Sequence, residues 1–134
     1  MTLKCPRCGL SLSPEKYEGV PVDACRECWG YWLDRGEFAR IVDSRQFVFS
    51  DEERAELLRF ARKEPQAMKE AALPCPRCEQ PMEKIDFKVE APITLDRCPS
   101  HGIWFDTREL KLAQVLAEKA GAIRKLFFQK LREP

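Results

Sequence analysis

The sequence holds one histidine and six glycines, and no apolar run approaches the roughly 18 residues that a membrane-spanning helix needs. Nor does it open on a positively charged, apolar, small-residue leader, so the expected setting is the reducing cytoplasm without a membrane anchor. A single histidine leaves no second imidazole to act as a general base, and neither a GxSxG elbow nor a phosphate-cradling glycine loop occurs. No catalytic residue is therefore assigned. Charge of one sign is also scarce: 23 Lys and Arg against 22 Asp and Glu give a formal net charge of +1, so overall charge offers no argument for nucleic-acid binding. A local surplus does exist. From Thr107 to Pro134 seven basic residues stand against three glutamates.

Cysteine is abundant by contrast. The seven cysteines and the one histidine fall into four close pairs: Cys5/Cys8, Cys25/Cys28, Cys75/Cys78 and Cys98/His101. Seven thiols cannot pair completely as disulfides, and the histidine completes an even set. Two residues between paired ligands allow a tight turn that points both ligand atoms at one ion, and two such turns at the ends of a hairpin complete a tetrahedron. Sixteen residues separate Cys8 from Cys25 and nineteen separate Cys78 from Cys98, each enough for one hairpin. The expectation is two zinc ions, held by Cys5, Cys8, Cys25 and Cys28 and by Cys75, Cys78, Cys98 and His101.

Three other readings of these pairs stay open from residues alone. Each CPRC is compatible with a redox dithiol, although Cys5 lies too near the start to follow a strand of a βαβ unit. The all-cysteine set would also suit an iron–sulfur cluster. Ligands could be shared between the halves, but duplication of the whole unit favours one ion per half. Whichever ion is bound, four-ligand sets leave no open coordination position for hydrolysis at the metal.

The unit that repeats is longer than the metal ligands. Gly30-Tyr31-Trp32-Leu33-Asp34 is matched by Gly102-Ile103-Trp104-Phe105-Asp106, and a glutamate follows each at the same distance, Glu37 and Glu109. This pattern predicts a helix start with Asp34 or Asp106 as N-cap, the glutamate at N3, and Leu33/Phe38 or Phe105/Leu110 as hydrophobic staple. Capping accounts for these four carboxylates without a catalytic role. Trp29 to Leu33 is expected to cluster over the first metal site.

Elsewhere, Ser13-Pro14 reads as a turn, Tyr17 to Ala24 as a hairpin around Glu18-Gly19 with Pro21 confining part of it to an edge, and Met82 to Leu95 as a hairpin turning at Ala91-Pro92. Between the halves, Phe47-Val48-Phe49 is a short apolar segment. Ser50-Asp51-Glu52-Glu53 caps a helix bearing Leu57, Leu58 and Ala61, and helix resumes after Pro65 through Ala67, Met68, Ala71 and Ala72. A last helix is expected from Thr107 to about Arg132, weakest at Gly121. Leu112, Leu116, Ile123, Phe127 and Leu131 lie near one side, and Phe127 or Phe128 marks a partner or homodimer contact.

CPRC, a hairpin, CxxC or CxxH, and then G-x-W-L/F-D-x-x-E-L/F resembles the TFIIB-type zinc-finger family of zinc-ribbon-like modules. The first copy runs from Cys5 to Phe38 and the second from Cys75 to Leu110. The second departs from the pattern with Thr107-Arg108 in place of Arg35-Gly36 and one residue fewer before Trp104. The resemblance implies a zinc ribbon, cytoplasmic, linked to transcription or nucleic acid.

The expected fold is thus a small, metal-stabilised α+β chain of two zinc-ribbon-like hairpin modules, each followed by a helix: residues 1–44 and 74–134, joined by a helical spacer over 45–73. The expected function is non-catalytic engagement of a protein or a nucleic acid through those modules. The alternative is a zinc-thiolate redox sensor or metal-handling protein, in which the all-cysteine site reacts first.

Overall fold

The computed structural model describes residues 3–44, 50–63, 71–88 and 92–118. Each half begins with a ligand turn closed by a single bridge, Lys4 to Ser11 and Pro74 to Pro81. In the first half, β1 (Ser13–Tyr17) and β2 (Val20–Ala24) pair in antiparallel fashion. Glu18 and Gly19 have φ of 50° and 81°, the positive values of a two-residue type I′ turn, whose twist suits the strands it joins. Ser13 and Pro14, expected as a turn, lie instead in β1. Pro21 is tolerated in β2 because β3 (Tyr31–Asp34) reaches only Asp23 and Ala24, leaving no ladder bond for the missing N–H.

The second half repeats this order with β4 (Glu83–Lys88), β5 (Pro92–Cys98) and β6 (Gly102–Phe105). Pro92 opens β5, while Val89 and Ala91 lie outside the described residues.

The halves share one sheet. β3 pairs with β6, giving a six-stranded antiparallel order β1-β2-β3-β6-β5-β4. In that central pair Tyr31 faces Phe105, Trp32 faces Trp104 and Leu33 faces Ile103. Because Tyr31, Trp32 and Leu33 are the repeat counterparts of Ile103, Trp104 and Phe105, the register is self-symmetric about the Trp32–Trp104 pair, as in an isologous interface.

Period-two alternation divides the sheet into two faces. Leu33, Ile103 and Phe105 point into a core with the helices, whereas Trp32 and Trp104 join a second cluster with Cys5, Cys25, Cys75, Cys98, Leu12 and Met82. The metal ligands therefore pack on one face and the helices on the other.

α1 (Glu37–Ser44) buries Phe38, Ile41 and Val42, spaced for one helical face. α2 (Asp51–Lys63) opens on a reciprocal capping box: Ser50 N–H donates to the Glu53 carboxylate and Glu53 N–H to the Ser50 hydroxyl, each at 3.1 Å. Leu57 packs against the core. Ala71 and Ala72, expected in a resumed helix, are exposed and lie in no regular element just before the second ligand turn. α3 (Glu109–Glu118) buries Leu110, Leu112, Ala113, Val115 and Ala117, more than a one-sided helix would, and packs against both α1 and α2. The remaining expectations fall outside the described residues. They are the Phe47–Phe49 segment, Ala67 and Met68, and the last helix beyond Glu118 with Gly121, Phe127 and Phe128.

Both helices begin later than the sequence suggests. Gly36 C=O accepts the first helical bond of α1, from Arg40 N–H at 3.2 Å, and Arg108 C=O that of α3, from Leu112 N–H at 3.0 Å. The N-cap position thus belongs to Gly36 and Arg108 rather than to Asp34 and Asp106. Glu37 and Glu109 still turn back as expected, accepting Asp34 N–H at 2.7 Å and Asp106 N–H at 2.9 Å.

Candidate metal centres

The eight predicted ligands come together as two groups, Cys5/Cys8/Cys25/Cys28 and Cys75/Cys78/Cys98/His101, whose ligand atoms all lie within 4.8 Å of one another. A zinc–sulfur bond of about 2.3 Å places tetrahedral sulfurs about 3.8 Å apart. Cys5 Sγ stands 3.7 Å from Cys28 Sγ, and Cys78 Sγ 3.9 Å from Cys98 Sγ. His101 presents Nδ1, at 3.4 Å from Cys98 Sγ and 3.9 Å from Cys75 Sγ. Each group is drawn from one half, so ligands are not shared between copies.

Local backbone explains the spacing. In the first turn Cys8 N–H points at Cys5 Sγ (3.3 Å), in the second Cys28 N–H points at Cys25 Sγ (3.5 Å), and in the third Arg77 N–H points at Cys75 Sγ (3.4 Å). Donors aimed at sulfur favour thiolate. Each of these turns ends on a left-handed residue: Gly9, Trp29 and Glu79, with φ of 73°, 55° and 64°. Cys5, Cys25, Cys75 and Cys98, the first member of each pair, are buried.

Without an ion the thiols obstruct one another. Burial resists ionisation of Cys25, yet the N–H groups of Cys28 and Glu27 and the thiols of Cys28 and Cys5 lower it to about 7. Burial raises Cys28 to about 11, and its thiol neighbours add to the shift. In the other group burial raises Cys75 to about 11, while the Gln80 N–H draws Cys78 below the usual thiol value. A divalent cation removes this conflict by neutralising all the donors together. The donor chemistry and spacing fit zinc, and each group could hold one ion.

Around the ligands the copies exchange arginines. Arg7, inside the first CPRC, donates from Nε and Nη2 to both carboxylate oxygens of Asp106 in the second half. Arg77, inside the second CPRC, does the same to Asp34 in the first half, at 2.5 and 2.7 Å. Each aspartate also accepts the indole N–H of the tryptophan two residues before it, Trp32 to Asp34 and Trp104 to Asp106, at 3.0 Å. Burial opposes ionisation of Asp34, but Arg77 and Trp32 hold its carboxyl below the ordinary value.

A carboxylate on the strand before the second ligand pair feels the charges of each Arg–Asp pair. Asp23, with its pKa raised by burial and by Asp34, stands in the first half; Asp96, raised by burial against the pull of Lys84 Nζ at 2.6 Å, stands in the second. Asp34 and Asp106 therefore serve as anchors and not as caps: their side chains fasten each half to the other's ligand turn. Sequence reasoning missed Arg7 and Arg77. The available signal was the identical Pro-Arg inside both CPRC pairs, whereas the residues inside the second pairs differ.

The aromatic segment also divides. Trp32 is fully buried beside the ligands, but Trp29 is 46 % exposed, and Tyr31 packs edge-on against Tyr17 with centroids 5.6 Å apart. Trp29 thus leaves the expected cluster because its left-handed backbone turns it outward.

Two small ligand turns flanking a hairpin, repeated and joined edge to edge, define a tandem zinc-ribbon protein. The family described as transcription factor zinc-finger, the TFIIB-type zinc ribbon, matches residues 4–44 and 74–113. That is more than half of the 134 residues, and the chain belongs to this family. No curated protein and no solved structure matches it. Among the described residues no helix is long and apolar enough to cross a membrane.

Proposed function

We propose that the chain is a non-catalytic binding module, held in shape by two zinc ions, that engages a protein or nucleic-acid partner in the cytoplasm. The observation that carries this reading is the pair of four-ligand groups packed under Trp32 and Trp104. Filled, each group offers no open position to a substrate, and the metal's work is to fix the turns from which Arg7 and Arg77 reach across. The ions would order the sheet, and recognition would use surfaces that the sheet presents. The family's description makes transcription the first setting in which to look for the partner.

Capture from native lysate on immobilised zinc-loaded protein, with metal, protein and nucleic acid read from one eluate, tests the reading. A specific partner retained by the loaded protein and lost after chelation is expected. A chain that carries two zinc ions and retains neither class of partner contradicts it.

A further inference from the structure

The approximate two-fold symmetry of the chain breaks down around one cavity. A cavity of about 160 Å³ is lined by Tyr17, Trp29, Tyr31, Thr107, Arg108, Leu110 and Lys111, where the first hairpin meets the start of α3. Its symmetry counterpart would lie at the start of α1. There Ile103 replaces Tyr31, the second copy has no residue for Trp29, and Gly36 and Ala39 stand where Arg108 and Lys111 stand. Three aromatic rings and two cations thus line this cavity.

Two of these residues are kept against backbone preference. Trp29 and Arg108 have φ of 55° and 71°, whereas Gly9 and Gly36 occupy the corresponding positions of the first turn and of α1. A bulky left-handed residue lowers stability, and the exposed Trp29 ring recovers little of that loss by packing.

From this geometry we propose that the cavity is a stacking site for single-stranded nucleic acid, taking a base against Trp29 and the adjoining phosphates on Arg108 and Lys111. The proposal rests on the binding-module reading and specifies the partner's chemistry. Cations beside the rings disfavour a cationic guest, and aromatic walls give an inorganic anion nothing to stack on; a flat base joined to phosphate satisfies both.

The experiment is titration of the zinc-loaded full chain with short oligothymidylate and oligouridylate at two salt concentrations, followed by tryptophan fluorescence. Trp32 and Trp104 are buried and Trp29 is exposed, so quenching by a stacked base falls on Trp29. Saturable quenching is expected, with affinity falling as salt rises. Trp29→Gly should weaken binding about tenfold or more, read by anisotropy of a labelled strand. Arg108→Gly with Lys111→Ala should reduce the salt slope by about 1.4 for two phosphates. Glycine is favoured at both left-handed positions, so these variants should unfold no more readily than the parent, and zinc content measured on the same samples confirms the fold.

Tighter binding of the uridylate assigns RNA, tighter binding of the thymidylate assigns single-stranded DNA, and equal binding supports the shared chemistry. Loss of binding in neither variant overturns the site, as does a preference for duplex DNA or for an acidic peptide. A zinc-replete protein that binds no strand refutes this site alone; failure to hold zinc would refute the reading beneath it.

Discussion

Removing one aspartate should disturb the metal site of the opposite half. Asp34 receives Arg77 through two hydrogen bonds, and the pair is partly exposed, with side-chain exposures of 32 % and 41 %. An ion pair in contact with water contributes about 0–1 kcal/mol after screening, and the two-point geometry puts this one near the top of that range. The aspartate also satisfies the indole N–H of Trp32, which is fully buried, and stranding that donor costs about 1–3 kcal/mol more. Asp34→Ala should therefore destabilise the zinc-loaded protein by about 2–4 kcal/mol. Asp34→Asn and Arg77→Gln, which keep hydrogen-bonding groups, should cost about 1 kcal/mol each.

Urea denaturation of the two single variants and the double variant gives the coupling energy directly. It should be about 1 kcal/mol at low salt and shrink as salt is added. Because Arg77 belongs to the turn between Cys75 and Cys78, Asp34→Ala should also weaken metal binding at the Cys75/Cys78/Cys98/His101 group more than at the group in its own half, read by chelator competition on the cobalt-substituted protein. Strict additivity of the singles, or preferential weakening of the Cys5/Cys8/Cys25/Cys28 group, would refute the cross-brace.

Three further perturbations probe the same architecture. A Cβ added at Gly30 would stand 2.1 Å from Trp104 Cζ2, inside a fully buried ring, so Gly30→Ala should cost about 3 kcal/mol in denaturant titration and alter the Trp104 emission. Gln114 is buried on α3, accepts the Tyr17 hydroxyl at 2.9 Å and donates to Glu18 at 2.6 Å; Gln114→Leu should lower stability by about 1–2 kcal/mol and speed amide exchange in the first hairpin.

Glu109 is raised from 4.5 to about 8 by burial and by Asp106, so the folded state holds a proton that the unfolded chain releases. That contribution is complete below pH 4.5 and disappears as pH rises through about 8. Glu109→Gln keeps an oxygen for the Asp106 N–H without titrating. The stability of the parent relative to this variant should fall between about pH 6 and 8, the part of the window in which the metal thiolates persist. A flat difference would contradict the assignment.

What the sequence made legible was chemistry carried by rare residues at fixed spacing. Cys5 to His101 could be grouped because every cysteine and the one histidine belonged to a pair, and Glu18-Gly19, Glu37, Glu53 and Glu109 announced a turn and helix starts through local rules. The joining of the halves was not legible, because β3 and β6 are four residues each and read as aromatic tails of the ligand turns. Their pairing depends on two strand edges meeting across a gap of about 70 residues, which no local pattern encodes. Asp34 and Asp106 misled for a related reason: an aspartate ahead of a helix looks like a cap until the arginine that claims its side chain is placed. Trp29 was grouped with Trp32 because composition alone cannot show that a backbone turn throws one ring outward.

The central claim is that each repeat holds its own zinc ion, and native mass spectrometry of the protein prepared with zinc tests it most directly. Two zinc ions per chain are predicted, one remaining after Cys25→Ser, one remaining after His101→Ala, and none when the two substitutions are combined. A single ion shared by the halves, an iron–sulfur cluster, or a metal-free chain with oxidised cysteines would contradict it.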